Sequence, residues 1–345
     1  MMRSGYADVP LDYGRCPPWL FKRMKRIGKA ITEVIILEFG RDEFLKRISN
    51  PFFFQSLGCL MAFDWNSSGL TTTTCGALKE ALSPDLGVVA LGGKGRASRR
   101  TPQEIWNIGN VFNLSTQKIE ELEKASRLAA KVDSAGVQDS YTLYHHSFFV
   151  TEDGKWSVIQ QGMRTDIGYA RRYHWIDEKV KSFVREPHLA ICCDTRGKTL
   201  NMVARKSEET QKASVDLSKE KPKKLIRLIM DKKDEIDLKR YYGLVNAYEF
   251  QPRNYEEMLL VKGMGPKTVR ALALLSNLLY GTEISWRDPA KYAFAHGGKD
   301  GYPWPVDRKT YDKSIEILRT AVDHAKLGRK DKLNALKKLK DFGNI

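Results

Sequence analysis

Apolar positions recur along this chain at helical spacing in some stretches and crowd together in others. Between Leu20 and Ile48, Met24, Ile27, Ile31, Ile35 and Leu45 fall at helical intervals with Gly40 as a break, which predicts two helices. Pro51 then opens the aromatic run Phe52-Phe53-Phe54, read as core. Leu86 to Leu91 (LGVVAL) is a short continuous apolar run before Gly92-Gly93, as expected of a buried strand feeding a glycine turn. Thr101-Pro102-Gln103-Glu104 combines a capping hydroxyl, a first-turn proline and an acid three residues on, so it reads as a helix start, with Ile119 to Ala130 as a second helix.

Residues 140–162 (SYTLYHHSFFVTEDGKWSVIQQG) place Tyr, Thr, His, Phe and Val before Glu-Asp-Gly-Lys, with Trp156, Val158 and Ile159 after it. That pattern predicts a hairpin. At 205–224 (RKSEETQKASVDLSKEKPKK) charge and small polar residues replace apolar periodicity, which reads as a linker or an exposed helix end. The expected organisation is an α/β or α+β domain with a β-hairpin over 1–204, a charged linker over 205–224, and an all-helical domain over 225–345. Within the last, Ile315, Ile317, Leu318, Ala321, Leu327, Leu333, Leu336 and Leu339 alternate with lysines as in a packed helix pair with a basic outer face.

Composition narrows the partners. The 345 residues allow about two domains at roughly 150 residues each. With 58 Lys and Arg against 42 Asp and Glu, the formal net charge is +16, which suits a polyanion such as nucleic acid or an anionic membrane. No apolar run approaches the ~20 residues of a membrane span. Asp8, Asp12 and Arg15 interrupt any apolar signal segment. A cytoplasmic, nucleoid-associated protein is expected. Cys16, Cys59, Cys75, Cys192 and Cys193 form no CxxC pair and are read as reduced thiols, the last two on a buried strand.

The stretch VKGMGPKTVRALALLSNLLYG, residues 261–281, carries the clearest chemistry. A helix N-terminus offers unpaired N–H groups and partial positive charge to a phosphate. Bringing a phosphodiester close to it requires residues without bulk that tolerate positive φ, which fits Gly263 and Gly265. Met264 would anchor the turn in the core, Pro266 suits the first helical turn, and Lys262, Lys267 and Thr268 add donors. Val261, Gly263, Met264, Gly265, Thr268, Val269, Ala271 and Leu272 match the helix-hairpin-helix motif, a sequence-independent grip on a nucleic-acid backbone. Such a grip does not read the 2′-hydroxyl, so RNA fits the pattern as DNA does, and single-stranded, duplex and branched forms all remain open.

Five further stretches, DWNSSGLTTTTCGALKEAL (64–82), GGKGRASRRTP (92–102), AKVDSAGVQDSYTLYHHSFF (130–149), WSVIQQGM (156–163) and DPAKYAFAHGGKDGYPWPVD (288–307), give the chain a distinctive pattern. It resembles the prokaryotic domain of unknown function 763 family, and the resemblance implies no particular reaction. The residues must therefore indicate the chemistry. Asp133, Gln138, Asp139, His145, His146, Gln160 and Gln161 crowd the hairpin and its approach. Strand alternation sends His145 and His146 to opposite faces, and likewise the two glutamines.

A nuclease needs a hard metal or a general base beside the phosphate. Asp64, Asp139, one of the histidines and one of the glutamines are expected to supply it, with Asp139 and His146 holding Mg²⁺ or Mn²⁺; the alternative is that these groups satisfy core hydrogen bonds. GGKGRASRR, with Lys94, Arg96, Arg99 and Arg100, is a second anion-site candidate. A different enzyme also fits in part. The chain is similar to helix-hairpin-helix DNA glycosylases in placing Lys267 at the start of the second motif helix and Asp307 in Pro-Val-Asp, although Asp307 lies 40 residues beyond Lys267, more than the usual family spacing. Trp286, Tyr292, Phe294, Tyr302 and Trp304 could stack a flipped or single-stranded base. The expectation is a DNA-binding protein of repair or processing acting as a metal-dependent nuclease, with a glycosylase or lyase and a non-catalytic binding module as alternatives.

Overall fold

The computed structural model describes residues 11, 14–61, 63, 67–193, 196–232, 234–290, 308–325 and 328–343. Four helices come first: α1 (Pro18–Phe39), α2 (Arg41–Ser49), α3 (Pro51–Leu60) and α4 (Ser68–Ala81). Gly40 separates the first two at φ 85°, where a side chain would be strained. The Asn50 side chain caps α3 by accepting from the N–H groups of Phe52 and Phe53, so the aromatic run enters the core as a helix.

Strand β1 (Val88–Lys94) leads through a 3₁₀ turn into α5 (Thr101–Val111) and α6 (Thr116–Lys131). Then follow β2 (Val137–Gln138), β3 (Thr142–Thr151), β4 (Trp156–Arg164), β5 (Tyr169–Ile176), β6 (Ala190–Cys192) and β7 (Leu200–Asn201). The main sheet has the order β1-β3-β4-β5-β6 and is antiparallel throughout; β2 and β7 form a separate pair. The expected hairpin is β3–β4, and the expected glycine-flanked strand is the edge strand β1.

Alternation along the strands divides the apolar residues between two cores. Val88, Ala90, Phe149, Ile159 and Ile176 pack against α1 to α4. Val89, Leu91, Phe148, Val150, Val158, Tyr173 and Trp175 pack against α5, α6 and the helices that follow. Those are α7 (Glu208–Ser218), α8 (Pro222–Asp231), α9 (Tyr242–Phe250), α10 (Tyr255–Leu260) and α11 (Pro266–Tyr280). The chain closes with α12 (Arg308–His324) and α13 (Arg329–Gly343), the expected helix pair, which packs back onto α1 and α3. The result is a small antiparallel sheet between helical layers.

The 205–224 stretch is not a linker. It contains α7, whose Thr210, Gln211, Ser214 and Ser218 are buried. Thr210 bonds Thr282 at 3.0 Å, and Ser214 lies 3.2 Å from Ser276 on α11. Its polar residues mislead because their hydroxyls are satisfied inside, where small side chains let two helices approach. One core therefore runs from Val89 to Ala290, joining residues on both sides of this stretch.

Candidate functional site

Helix α10 is capped by Asn254, whose side chain accepts from the Glu257 N–H at 2.9 Å, and it ends at a five-residue turn, 261–265. Gly263 sits at φ +88°, and a Cβ there would lie 2.7 Å from the Tyr242 ring. Met264 between the glycines is fully buried. Gly265 is the residue before α11; no side chain caps that helix, and a Cβ on Gly265 would meet nothing within 4 Å. The first-turn N–H groups of Lys267 and Thr268 have no acceptor within the helix. Thr268 Oγ1 donates to the Gly263 carbonyl at 3.3 Å, while Lys262 and Lys267 are exposed.

Polar groups from the sheet layer hold this turn in place. Lys131 Nζ donates to the Met264 carbonyl at 2.9 Å and Gln138 Nε2 to the Pro266 carbonyl at 2.7 Å. Arg270 Nε in turn donates to Gln138 Oε1 at 2.9 Å.

The Gly92–Arg100 loop is built similarly. Gly92 has φ +80°, and a Cβ there would be 2.3 Å from the His146 carbonyl oxygen. The Gly92 N–H is occupied, because it donates to Glu104 Oε2 at 2.6 Å, and Lys79 bridges Glu104 to the Gly92 carbonyl. Lys94, Arg96, Arg99 and Arg100 are exposed, and among the described residues none of them forms an ion pair. Side chains, more than the glycine N–H groups, make this loop cationic.

Two rows of polar residues cross the sheet just behind that loop. In one, Lys94 stands opposite His145, His145 opposite Gln161, and Gln161 opposite Arg172. This row faces α3 and α4. Gln161 Nε2 donates to the Ser68 carbonyl at 2.8 Å and to the Tyr144 hydroxyl at 2.5 Å; Arg172 donates to Thr71 at 3.3 Å, to Gln55 at 3.2 Å and to His174 Nε2 at 2.9 Å. Burial lowers the Arg172 guanidinium to about 10, so it stays charged at neutral pH. His145 Nε2 is 3.0 Å from Ser147 Oγ, and burial pushes its ring down to about 3. Several buried atoms on this side, among them His145 Nδ1, Gln161 Oε1, Thr74 Oγ1, His174 Nδ1 and Ser56 Oγ, have no hydrogen-bond partner among the described residues.

The second row faces α6 and is closed. His146 Nδ1 lies 2.8 Å from Gln160 Oε1, which can only accept, so Nδ1 carries the proton and Nε2 accepts from Ser126 at 2.9 Å. Gln160 Nε2 donates to Asp133 Oδ2 at 2.5 Å, Trp175 Nε1 donates to the same oxygen at 3.0 Å, and His188 bonds Asp133 Oδ1. Asp133 lies in a one-turn π-helix at the end of α6, which swings its carboxylate under the sheet. Burial also holds the His146 ring below its ordinary value.

Asp139 belongs to a third cluster. Its Oδ2 accepts from Arg171 at 2.9 Å and Tyr173 at 2.7 Å, and its Oδ1 from the Tyr141 N–H at 3.0 Å. Arg171 also grips Asp288 at 3.0 and 2.8 Å, tying β5 to the segment after α11.

The sequence expectations divide accordingly. His145 and His146 do diverge, as do Gln160 and Gln161, and the register pairs His145 with Gln161 and His146 with Gln160. The expected metal pair of Asp139 and His146 is not assembled: the two belong to different networks, and both oxygens of the one and both nitrogens of the other are engaged by protein groups. Lys267 is exposed and pairs with Asp237 at 2.6 Å. Asp64 and Asp307 lie outside the described residues, as do Tyr292, Phe294, Tyr302 and Trp304. Tyr144, Thr71 and Arg172 on the open side, and Ser126, Trp175 and His188 on the closed one, are not among the residues expected from the sequence. Only Arg172 gave a signal, as a charge inside an otherwise strand-like run.

Comparison with known proteins gives a family and no activity. A family model described as protein of unknown function (DUF763) matches residues 5–306, so the chain belongs to that family. No curated protein and no solved structure matches it. Among the described residues no helix is long and apolar enough to cross a membrane.

Proposed function

We propose that this member of the DUF763 family is a DNA-binding protein of repair or processing that grips the phosphate backbone through a helix-hairpin-helix formed by α10, the 261–265 turn and α11. Lys94, Arg96, Arg99 and Arg100 provide a second phosphate contact. One observation supports the reading above the others: the uncapped start of α11 opens at Gly265 onto free space, flanked by exposed Lys262 and Lys267, on a chain of net charge +16. Binding of labelled duplex, single-stranded and forked DNA across a salt series tests it, since each phosphate contact adds about 0.9 to the slope of log K against log salt. Absence of binding at low salt would remove the reading.

Metal-dependent cleavage is the second reading. The nitrogen of His145 that has no partner among the described residues favours it, because a general acid or base must keep its proton or lone pair available to the substrate. Incubation of the same DNAs with Mg²⁺ or Mn²⁺ and with chelator tests it: cleavage lost in His145→Ala and kept in His146→Ala supports chemistry on the open side. Binding without cleavage under every condition leaves a non-catalytic module.

A further inference from the structure

The open row runs inward from an exposed end. Lys94 stands on edge strand β1, its ammonium 5.7 Å from the Tyr144 ring, and Tyr144 accepts from the Gln161 amide behind it. The Ser68 carbonyl fixes the orientation of that amide, because only Nε2 can donate to it. Gln161 Oε1 is therefore an acceptor with no donor among the described residues. His145 Nε2 lies 3.0 Å from Ser147 Oγ; when that hydroxyl donates, the ring proton sits on Nδ1, which has no acceptor among the described residues. His145 is 1% exposed and Gln161 0%, and buried polar atoms seldom go unsatisfied.

A ligand that satisfies both must carry an acceptor and a donor. The adjoining Lys94, Arg96, Arg99 and Arg100 select an anion. A phosphate monoester as its monoanion has both charged oxygens and a P–OH, whereas a phosphodiester inside a strand has no hydrogen to give. We propose that this edge of the sheet binds the terminal phosphate monoester of a nucleic-acid strand, with His145 Nδ1–H donating to a phosphate oxygen, Gln161 Oε1 accepting from the P–OH, and the basic loop holding the phosphates that follow. The nucleic-acid part of the ligand rests on the DNA-binding reading above; the phosphate part does not.

The test uses the full chain and one single-stranded oligonucleotide in three forms, with a 5′-phosphate, with a 3′-phosphate and with hydroxyls at both ends, followed by fluorescence anisotropy. Inorganic phosphate is added separately while the histidine ring signals are followed by NMR. One phosphorylated form should bind about tenfold more tightly than the hydroxyl form, as one charge-assisted contact allows. That preference should vanish in His145→Ala and in Lys94→Gln, the latter an exposed change that leaves folding intact. Inorganic phosphate should move the His145 ring signals and leave those of His146 in place. Equal binding of all three forms with no movement at His145 overturns the proposal, and so does a preference that survives both substitutions. If no DNA binds while phosphate still moves the His145 signals, the DNA reading fails and the phosphate site stands.

Discussion

At the level of His145 and His146 the sheet presents a histidine and a glutamine to each side. Toward α6, His146 and Gln160 meet Ser126 and Asp133, and both ring nitrogens and both amide groups are engaged. Toward α3 and α4, His145 and Gln161 each keep one atom without a partner among the described residues, although they are as deeply buried. Residue type is the same on the two sides, and so is burial. What differs is the neighbour supplied from elsewhere in the chain: a carboxylate from a π-turn on one side, and on the other a helix rich in Ser and Thr that leaves groups unmatched. Satisfaction marks the first side as structural, and its lack on the second is the ground of the phosphate-site proposal.

The largest effect that can test this contrast is acid. Burial holds His145, His146 and His174 below the ordinary value of 6.5. Above pH 6.5 they are neutral folded or unfolded. Below it the unfolded chain takes up protons that the folded chain refuses, so stability falls with falling pH, for His145 until about pH 3. For His145 the slope approaches about 1.4 kcal/mol per pH unit, and His146 and His174 add to it in the same direction. Urea titrations from pH 7.5 to 5 should show it, and a flat profile would mean that the rings are not buried as described. A ligand on the open face alone should soften the loss, by protecting His145 and not His146.

Next in size, Asp139→Ala removes one of two carboxylates from buried Arg171 and should cost about 3–5 kcal/mol in unfolding free energy. An active-site role would instead leave stability unchanged or improved. His146→Ala removes the contacts of both Ser126 and Gln160, while His145→Ala removes only that of Ser147, which also bonds Cys75, so the first should be the less stable by about 1–3 kcal/mol in chemical denaturation. Equal losses would dissolve the contrast between the faces. Gly265→Val should leave the melting temperature in place and lower DNA affinity about tenfold, since the site is open and its φ of −100° suits any residue. Smallest of all, Lys267→Ala should reduce the salt slope by about 1 without changing the preference among DNA forms.

Much of this architecture was legible because it is local. The β3–β4 hairpin announced itself through Glu-Asp-Gly-Lys between strand-forming runs, and the two glycine turns through residues only glycine can replace. Alternation alone separated His145 from His146. It could not say which glutamine joins which histidine, because that depends on a register that shifts between Leu143 and His145. The partners that decide satisfaction were hidden for the same reason: Asp133 lies 27 residues from Gln160 and 55 from His188, distances over which spacing carries no signal. Asp139 looked like a ligand because its Arg171 partner is 32 residues away. Helix α7 was misread because buried Ser and Thr look like surface to a composition argument.

The account stands on the glycine turn at the start of α11, and the most direct measurement is a salt titration of fluorescent DNA binding with the wild-type chain and Gly265→Val side by side. The account predicts binding whose log K falls linearly with log salt, and a variant that keeps its fold and loses about tenfold in affinity. Wild-type protein that ignores DNA at low salt, or a folded variant that binds as well as wild type, would contradict it.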